Sequence, residues 1–245
     1  MSSGLFSHWR KSLDFLRWPN FKLLIAATCN NAYRTNIILI KNFWPLLIGG
    51  IVVFVFFDFF LPNNNHLQSL LIRTVFSSIF VFLYNLAARP SLERKDFHYF
   101  LLYLPRFIIL FPIFFLDFVL INFNYPVSAL LFSFFTATMP FFYLDSSGSL
   151  EDLGKSFKQG ATLSLYFFPV FFAAFCAFTI FLTSITLSTA ILNFALQKIM
   201  SFSISAHINI AIFQLVLWFV LSIKTSFIVI LYTKIKHSYS SLFFK

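Results

Sequence analysis

Five charged residues interrupt the apolar runs of this 245-residue chain: Asp58, Arg73, Arg106, Asp117 and Lys224. A charge inside a run long enough to cross a bilayer costs free energy, so each is a candidate for binding or transport. Asp58 lies about four residues inside the outer end of its run and Arg73 about seven inside the next. At 1.5 Å per residue their depths differ by roughly 5 Å, a gap an arginine side chain can bridge. Asp117 falls at a similar depth in the third run. A cluster of Asp58, Arg73 and Asp117 would suit a proton or a small polar substrate. The same cluster serves equally as a structural ion pair that lets both charges enter lipid. Arg106 and Lys224 belong to the other half of the bilayer, where long side chains reach the headgroups.

A second constellation is polar and lies between two apolar runs, in LDSSGSLEDLGKSFKQG. Ser149 followed three residues later by Asp152 is a capping box, which predicts a helix starting at Leu150. Leu150, Leu153 and Phe157 then share one face, while Glu151, Asp152, Lys155 and Lys158 point away. Gly160 loosens the chain before the next run. The pattern predicts a two-turn amphipathic helix on a membrane surface, with Ser149, Asp152, Lys155, Phe157 and Lys158 as its interfacial motif. Asp145, Glu151 and Asp152 could act as acids toward a lipid, although carboxylates on such a helix more often form its solvated face.

Enzyme signatures are missing. The chain has no GxSxG, no HExxH, no glycine-rich phosphate loop and no paired histidines. His8, His66, His98, His207 and His237 occupy five separate segments. Cys29 and Cys176 form no CxxC and have no histidine pair nearby, so neither a disulfide framework nor a zinc site is expected. The expectation is a non-enzymatic protein without metal or cofactor.

Composition decides what must carry these residues. With 59% hydrophobic and only 11% charged residues, the chain cannot cover a soluble surface, which takes about a quarter charged residues. The net charge of +10 sits between apolar runs rather than on one face, which excludes a nucleic-acid-binding domain. Forty phenylalanines, spread over every run, read as lipid-facing rather than as an aromatic ligand path. The fold class is therefore all-α: a polytopic membrane protein with about six transmembrane helices and amphipathic interfacial helices. The runs are 43–61, 67–88, 100–121, 126–144, 161–187 and 207–233, each near the 17–25 residues that a core about 30 Å thick requires. Residues 1–42 form an amphipathic segment and 234–245 a tail.

Lysine and arginine fall alternately high and low between the runs: six before the first, none in 62–66, three in 89–99, none in 122–125, two in 145–160, one in 188–206 and three in the tail. By the positive-inside rule both termini are cytoplasmic, which needs an even number of spans. The expected location is the inner (cytoplasmic) membrane. The expected partners are the bilayer and anionic lipid headgroups at its cytoplasmic face, with homo- or hetero-oligomerisation left open.

Leu5, Trp9, Leu13 and Leu16 make one face of an in-plane N-terminal helix that Trp18-Pro19 ends. Asn20 can cap a second helix in which Phe21, Leu24, Ile25, Thr28 and Ala32 share a face. The apolar stretch 23–27 is too short for a secretory signal, and Asn30 and Asn31 follow it, so no cleavage is expected. Ile191, Leu192, Ala195, Leu196 and Ile199 predict a short helix on the outer surface. An internal echo at an offset of 124 aligns Ala32-Tyr33-Arg34-Thr35 with Ser156-Phe157-Lys158-Gln159, and Phe43-Trp44-Pro45 with Phe167-Phe168-Pro169. It fits either a parallel repeat or chance apolar similarity.

Pro140, Asp145, Gly148, Ser149, Leu150, Leu153, Lys155, Ser156, Phe157 and Lys158 together resemble the YciC-like bacterial inner-membrane proteins. The stretch is also similar to the membrane-anchor region fused to some glycerophosphodiesterases. Those families usually carry an acidic-Gly pair and a Ser-Trp pair, where this chain has Ser147-Gly148 and Ser156-Phe157. The resemblance implies an envelope protein with no catalytic residues to carry over, acting in envelope or lipid homeostasis. Alternatives are a small transporter or channel subunit using the intramembrane charges, and a membrane-bound lipid-modifying enzyme.

The alternation of charge makes a direct prediction. Reporter fusions after Thr233 and within 89–99 report cytoplasm, and fusions within 62–66 report the outside. A C-terminus outside the cytoplasm would rule out the six-span arrangement.

Overall fold

The computed structural model describes residues 2–17, 19–60, 66–89, 97–122, 126–198 and 202–238. Among them the chain is helical and has no strand. The elements are α1 (Ser2–Leu13), α2 (Asn20–Phe60), α3 (His66–Ala88), α4 (Phe97–Asn122), α5 (Pro126–Thr136), α6 (Met139–Asp145), α7 (Leu150–Tyr166), α8 (Phe168–Gln197) and α9 (Phe202–Ser238).

Helices α2, α3 and α9 pack on one another pairwise, α4 covers α3, and α8 lies along α9. The buried side of α2 is Leu24, Thr28, Ala32, Thr35, Leu39 and Phe43, spaced at threes and fours as an inward helical stripe must be. Tyr84 of α3, fully buried, joins the three helices: its hydroxyl donates to Ala32 O at 3.4 Å and shares a 2.9 Å hydrogen bond with Ser226 Oγ of α9. Ser222 Oγ reaches Asn36 Oδ1 at 3.4 Å. Both contacts set α2 and α9 antiparallel in one register, Ala32 opposite Ser226 and Asn36 opposite Ser222. Phe80 stacks on Trp218 at 5.0 Å beside them.

Residues 20–42, read from sequence as a surface segment, thus continue unbroken into a 41-residue helix and bury one side in the bundle. Pro45 lies inside α2, and Pro105 and Pro112 inside α4. Two other prolines end helices. Pro140 has no N–H, and its ring would meet the carbonyl of Thr136, where α5 stops. Pro169 stands in the same relation to Leu165, and the chain turns by 91° between α7 and α8. The surface helix therefore runs through Gly160 to Tyr166, a 17-residue element rather than two turns. The two halves of the internal echo differ for this reason: α2 passes its proline, and α7–α8 breaks before its own.

Each break leaves a backbone carbonyl without its helical donor, and a side chain from another element supplies one. Ser164 Oγ donates to Phe134 O at 2.9 Å, and Trp9 Nε1 donates to Leu165 O at 2.8 Å. Trp9 also lies 5.7 Å from the Phe168 ring, His8 packs on Tyr166 at 5.0 Å, and Phe15 meets Phe167 at 6.4 Å. Helix α1 is thereby seated on the α7–α8 elbow: of the predicted stripe Trp9 and Leu16 turn inward, joined by His8, Ser12 and Phe15. Leu13 is exposed and the Leu5 side chain lies outside the described residues.

Helix α8 continues through the predicted outer surface helix to Gln197, because no glycine or proline follows Pro169 until beyond its end. Thr183, Ser184 and Ser188 each donate to the carbonyl four residues back, which satisfies their exposed hydroxyls within the helix. Among the described residues, Trp218–Lys236 is long and apolar enough to cross a bilayer; α7 with Phe168–Ile180 passes the same test only as a bent pair.

Helix α7 has a second apolar side that the capping-box reading did not separate. Ser156, Gly160, Leu163 and Ser164 are buried, while Leu150 and Phe157 are 73% and 46% exposed. The small residues allow close approach to the start of α6: Thr138 Oγ1 donates to Gly160 O at 3.2 Å, and a Cβ at Gly160 would stand 3.0 Å from Met139 N. Gly154, on the same helix, faces open space. Gly160→Ala is expected to lower stability by about 1–3 kcal/mol through overpacking against backbone. Gly154→Ala raises it by up to about 1 kcal/mol through helix propensity. Thermal melts of the two purified variants check the sign; a shared direction would refute the packing argument.

Candidate functional site

The interfacial motif adjoins a junction where α3, α6 and α9 end, and α4 passes, beside the turn 146–149. Ser149 caps α7: its hydroxyl accepts from Asp152 N at 3.2 Å while Asp152 Oδ2 accepts from Ser149 N at 3.3 Å. Ser147 also donates to Asp152. These hydrogen bonds, that from Ser147 first, hold the exposed Asp152 carboxyl down at about 2. Gly148 adopts a φ of +87°, and a Cβ there would fall 2.5 Å from Arg106 Nε. The positive φ favours glycine, and a side chain there would also displace the Arg106 guanidinium.

Arg106, placed by hydropathy as a snorkelling residue, instead ties α4 to this turn. Its Nη1 donates to Leu144 O at 2.6 Å, its Nη2 to Ser147 O at 3.1 Å, and its guanidinium lies 4.8 Å from the Tyr103 ring. Tyr143 Oη donates to Gly148 O at 2.7 Å. The turn therefore has its carbonyls served by two side chains from outside it.

Asp145, the last residue of α6, sits at the centre. Arg89, at the end of α3, donates through Nη2 to Asp145 Oδ1 and through Nη1 to Leu144 O at 3.3 Å. From α9, Tyr232 Oη and Lys236 Nζ donate to Asp145 Oδ2 at 2.9 and 2.8 Å. Burial opposes ionisation of this carboxyl, but the Arg89 and Lys236 charges and the two donors on Oδ2 outweigh it, leaving Asp145 below the ordinary carboxylate value.

Of the three acids considered for lipid chemistry, Asp145 is saturated by cations and a hydroxyl, Asp152 caps a helix, and Glu151 pairs with Lys155 at 2.7 Å. All three are engaged in structural contacts, whereas general acid–base work needs a group free to exchange its proton. Lys158 and Phe157 point outward, and Lys158 O accepts from Thr162 at 2.7 Å.

The intramembrane charge cluster is resolved only at one member, since the Asp58 and Arg73 side chains lie outside the described residues. Asp117 accepts from Ser133 of α5 and lines a cavity of about 60 Å³ with Asn85, Thr136, Lys224 and Thr225. Lys224 Nζ stands 5.0 Å from the Phe175 ring, and no ion pair joins it to Asp117. An acidic and a basic side chain thus line one cavity, of mixed polar and apolar wall, large enough for water. Hydropathy assigned Asp117 and Lys224 to opposite halves of the bilayer. The broken α5–α6 pair, which contributes Thr136, Ala137, Pro140 and Phe141 to the cavity wall, brings them to one space.

Arg89, Tyr232 and Lys236 were missed from sequence, where Arg89 and Lys236 entered only the count of charge between and after the runs. No sequence signal separates an anchor from a partner of Asp145. Among the described residues no group of three His, Cys, Asp or Glu side chains could hold a metal ion. Compared with known protein families, characterised proteins and solved structures, the chain matches none.

The junction predicts a pH-dependent loss of stability. Asp145→Asn leaves Arg89 buried without its counter-charge and should cost about 3 kcal/mol at neutral pH. Because the folded carboxyl titrates below its unfolded value of about 3.9, its contribution is complete above that pH. It fades as pH falls through the folded value, so the variant and the parent should converge in acid. Denaturation in detergent at pH 7 and at successively lower pH measures this; a gap that stays constant into acid would count against the ion network.

Proposed function

We propose that the chain is a multi-pass inner-membrane protein with both termini in the cytoplasm, and that it works without catalysis at the cytoplasmic leaflet in envelope or lipid homeostasis. The observation that carries this reading is the two-sided helix α7. Its small side packs on α6, its bulky side is bare, and it stands at 91° to an apolar helix. A helix so placed lies in the plane of a bilayer while its successor crosses it. Helix α1, seated on the same elbow, widens the platform with exposed Phe6 and Leu13. Tyr33, Ile40, Trp44, Leu102, Ile108, Ile180, Phe194 and Phe219 lie exposed around the bundle, an apolar surface that lipid would cover. The six runs read from sequence supply the spans in this reading, which is also what the resemblance of the stretch 140–158 to YciC-like proteins implies.

A second reading, a small transporter or channel subunit, draws on the cavity that Asp117 and Lys224 share. The two readings separate in a strain lacking the gene. Under the first, loss sensitises the envelope to detergent, and a Leu150→Asp/Phe157→Asp variant that accumulates normally restores less than a tenth of the resistance. Asp117→Asn then complements fully. Under the transport reading the outcomes reverse, with Asp117→Asn inactive and the α7 variant active.

A further inference from the structure

We propose that the cleft between α1, the start of α2 and the end of α9 binds the phosphate of an anionic phospholipid from the cytoplasmic leaflet. The proposal rests on the membrane reading above and names the headgroup chemistry that its platform selects. The cleft has a volume of about 440 Å³ and is lined by Lys11, Asp14, Phe15, Asn20, Leu23 and Lys234. That is several times the share of one water molecule and within the range of small-ligand sites.

Its two ammonium groups come from opposite ends of the chain. Lys11 is carried on α1, and Lys234 arrives on the last turns of α9. Their convergence is a product of the tertiary fold: α1 is held by the Trp9–Leu165 hydrogen bond, and α9 by its register with α2. The acid in the wall is already engaged, since Asp14 Oδ1 holds Arg17 at 3.1 Å. Asn20 Nδ2 donates to Asp14 O at 3.0 Å, which fixes the α1–α2 link as the floor. Lys11 and Lys234 line one space, and two cationic side chains so placed attract a phosphate.

The apolar part of the wall argues for a lipid rather than a soluble phosphate. Phe15 packs against the core, and Leu23 is 61% exposed on the same side. A glycerol backbone and acyl chain would cover Leu23, which a free phosphate leaves wet. Lysine recognises phosphate as a point charge rather than through a fixed fork, so the site reads headgroup charge and tolerates variation in headgroup shape.

The test uses the full chain purified in neutral detergent and titrated with phosphatidylglycerol, its melting temperature reporting saturation. The expected result is a saturable rise with phosphatidylglycerol and none with phosphatidylcholine. Lys11→Gln/Lys234→Gln should weaken the apparent affinity at least tenfold. Arg10→Gln/Arg34→Gln, which removes equal charge outside the cleft, should change it less than twofold, and Lys11→Arg/Lys234→Arg should keep binding. Equal losses in the two Gln pairs would mean diffuse surface attraction and overturn the site. So would saturation by free glycerol phosphate at the same concentration, which would identify a soluble ligand. Should the cleft Gln pair not fold, loss of the phosphatidylglycerol response in the Arg pair overturns the proposal, and its retention supports it. Alkaline carbonate extraction of cell membranes separates the two levels of failure. A chain released by carbonate refutes the membrane reading itself, whereas a retained chain that shows no response to phosphatidylglycerol refutes the cleft alone.

Discussion

A backbone carbonyl left over at the end of a buried helix must find a donor, and in this protein the donors come from elsewhere in the chain. Phe134 O receives Ser164, Leu165 O receives Trp9, Leu144 O receives both Arg89 and Arg106, and Gly148 O receives Tyr143. Phe134 and Leu144 are buried away from water, so at these two breaks the donor must be a side chain, and two or more elements are tied together there. The proline at 140 and the proline at 169 thereby determine where α7 and α1 can sit.

The Asp145 junction is the densest of these ties. One carboxylate at the end of α6 holds cations from the ends of α3 and α9, and the adjacent carbonyl holds α4. Removing two charges from water is costly, and the pair is tolerable because its remaining hydrogen-bonding sites are also filled. Tight approach of α7 on α6 follows from the same geometry. With the turn 146–149 fixed, α7 leaves at a set angle, and only residues as small as Ser156, Gly160 and Ser164 fit along the contact.

This arrangement divides the chain's acids into two kinds. Asp145, Glu151 and Asp152 are spent on ion pairs and a helix cap, which makes the interfacial segment a rigid, two-sided platform. Asp117 has one hydroxyl donor and shares a cavity with Lys224, so among these four described acids it is the one whose surroundings leave room for something else. A function at the bilayer surface and a function within the bundle would therefore draw on different residues of the same fold.

The all-helical class was legible from composition and periodicity, because apolar runs of about twenty residues with so few charges leave no other way to satisfy their backbone. The start of α7 was legible too, since a capping box involves atoms only three residues apart. What the sequence could not determine was every feature that depends on two distant segments meeting. Hydropathy sees each run alone, so it set Asp117 and Lys224 at different depths, sent Arg106 to the headgroups, and counted Arg89 and Lys236 only as charges between or after the runs. It likewise assigned the leucine stripe of α1 to lipid, while the elbow at Phe167 claimed His8, Trp9 and Ser12. Local preference by itself determined which residues are helical and where one helix begins. The tertiary structure decided which prolines break a helix, which charges are partners and which face of a surface helix turns inward, because those depend on donors and counter-charges that only the folded chain brings within reach.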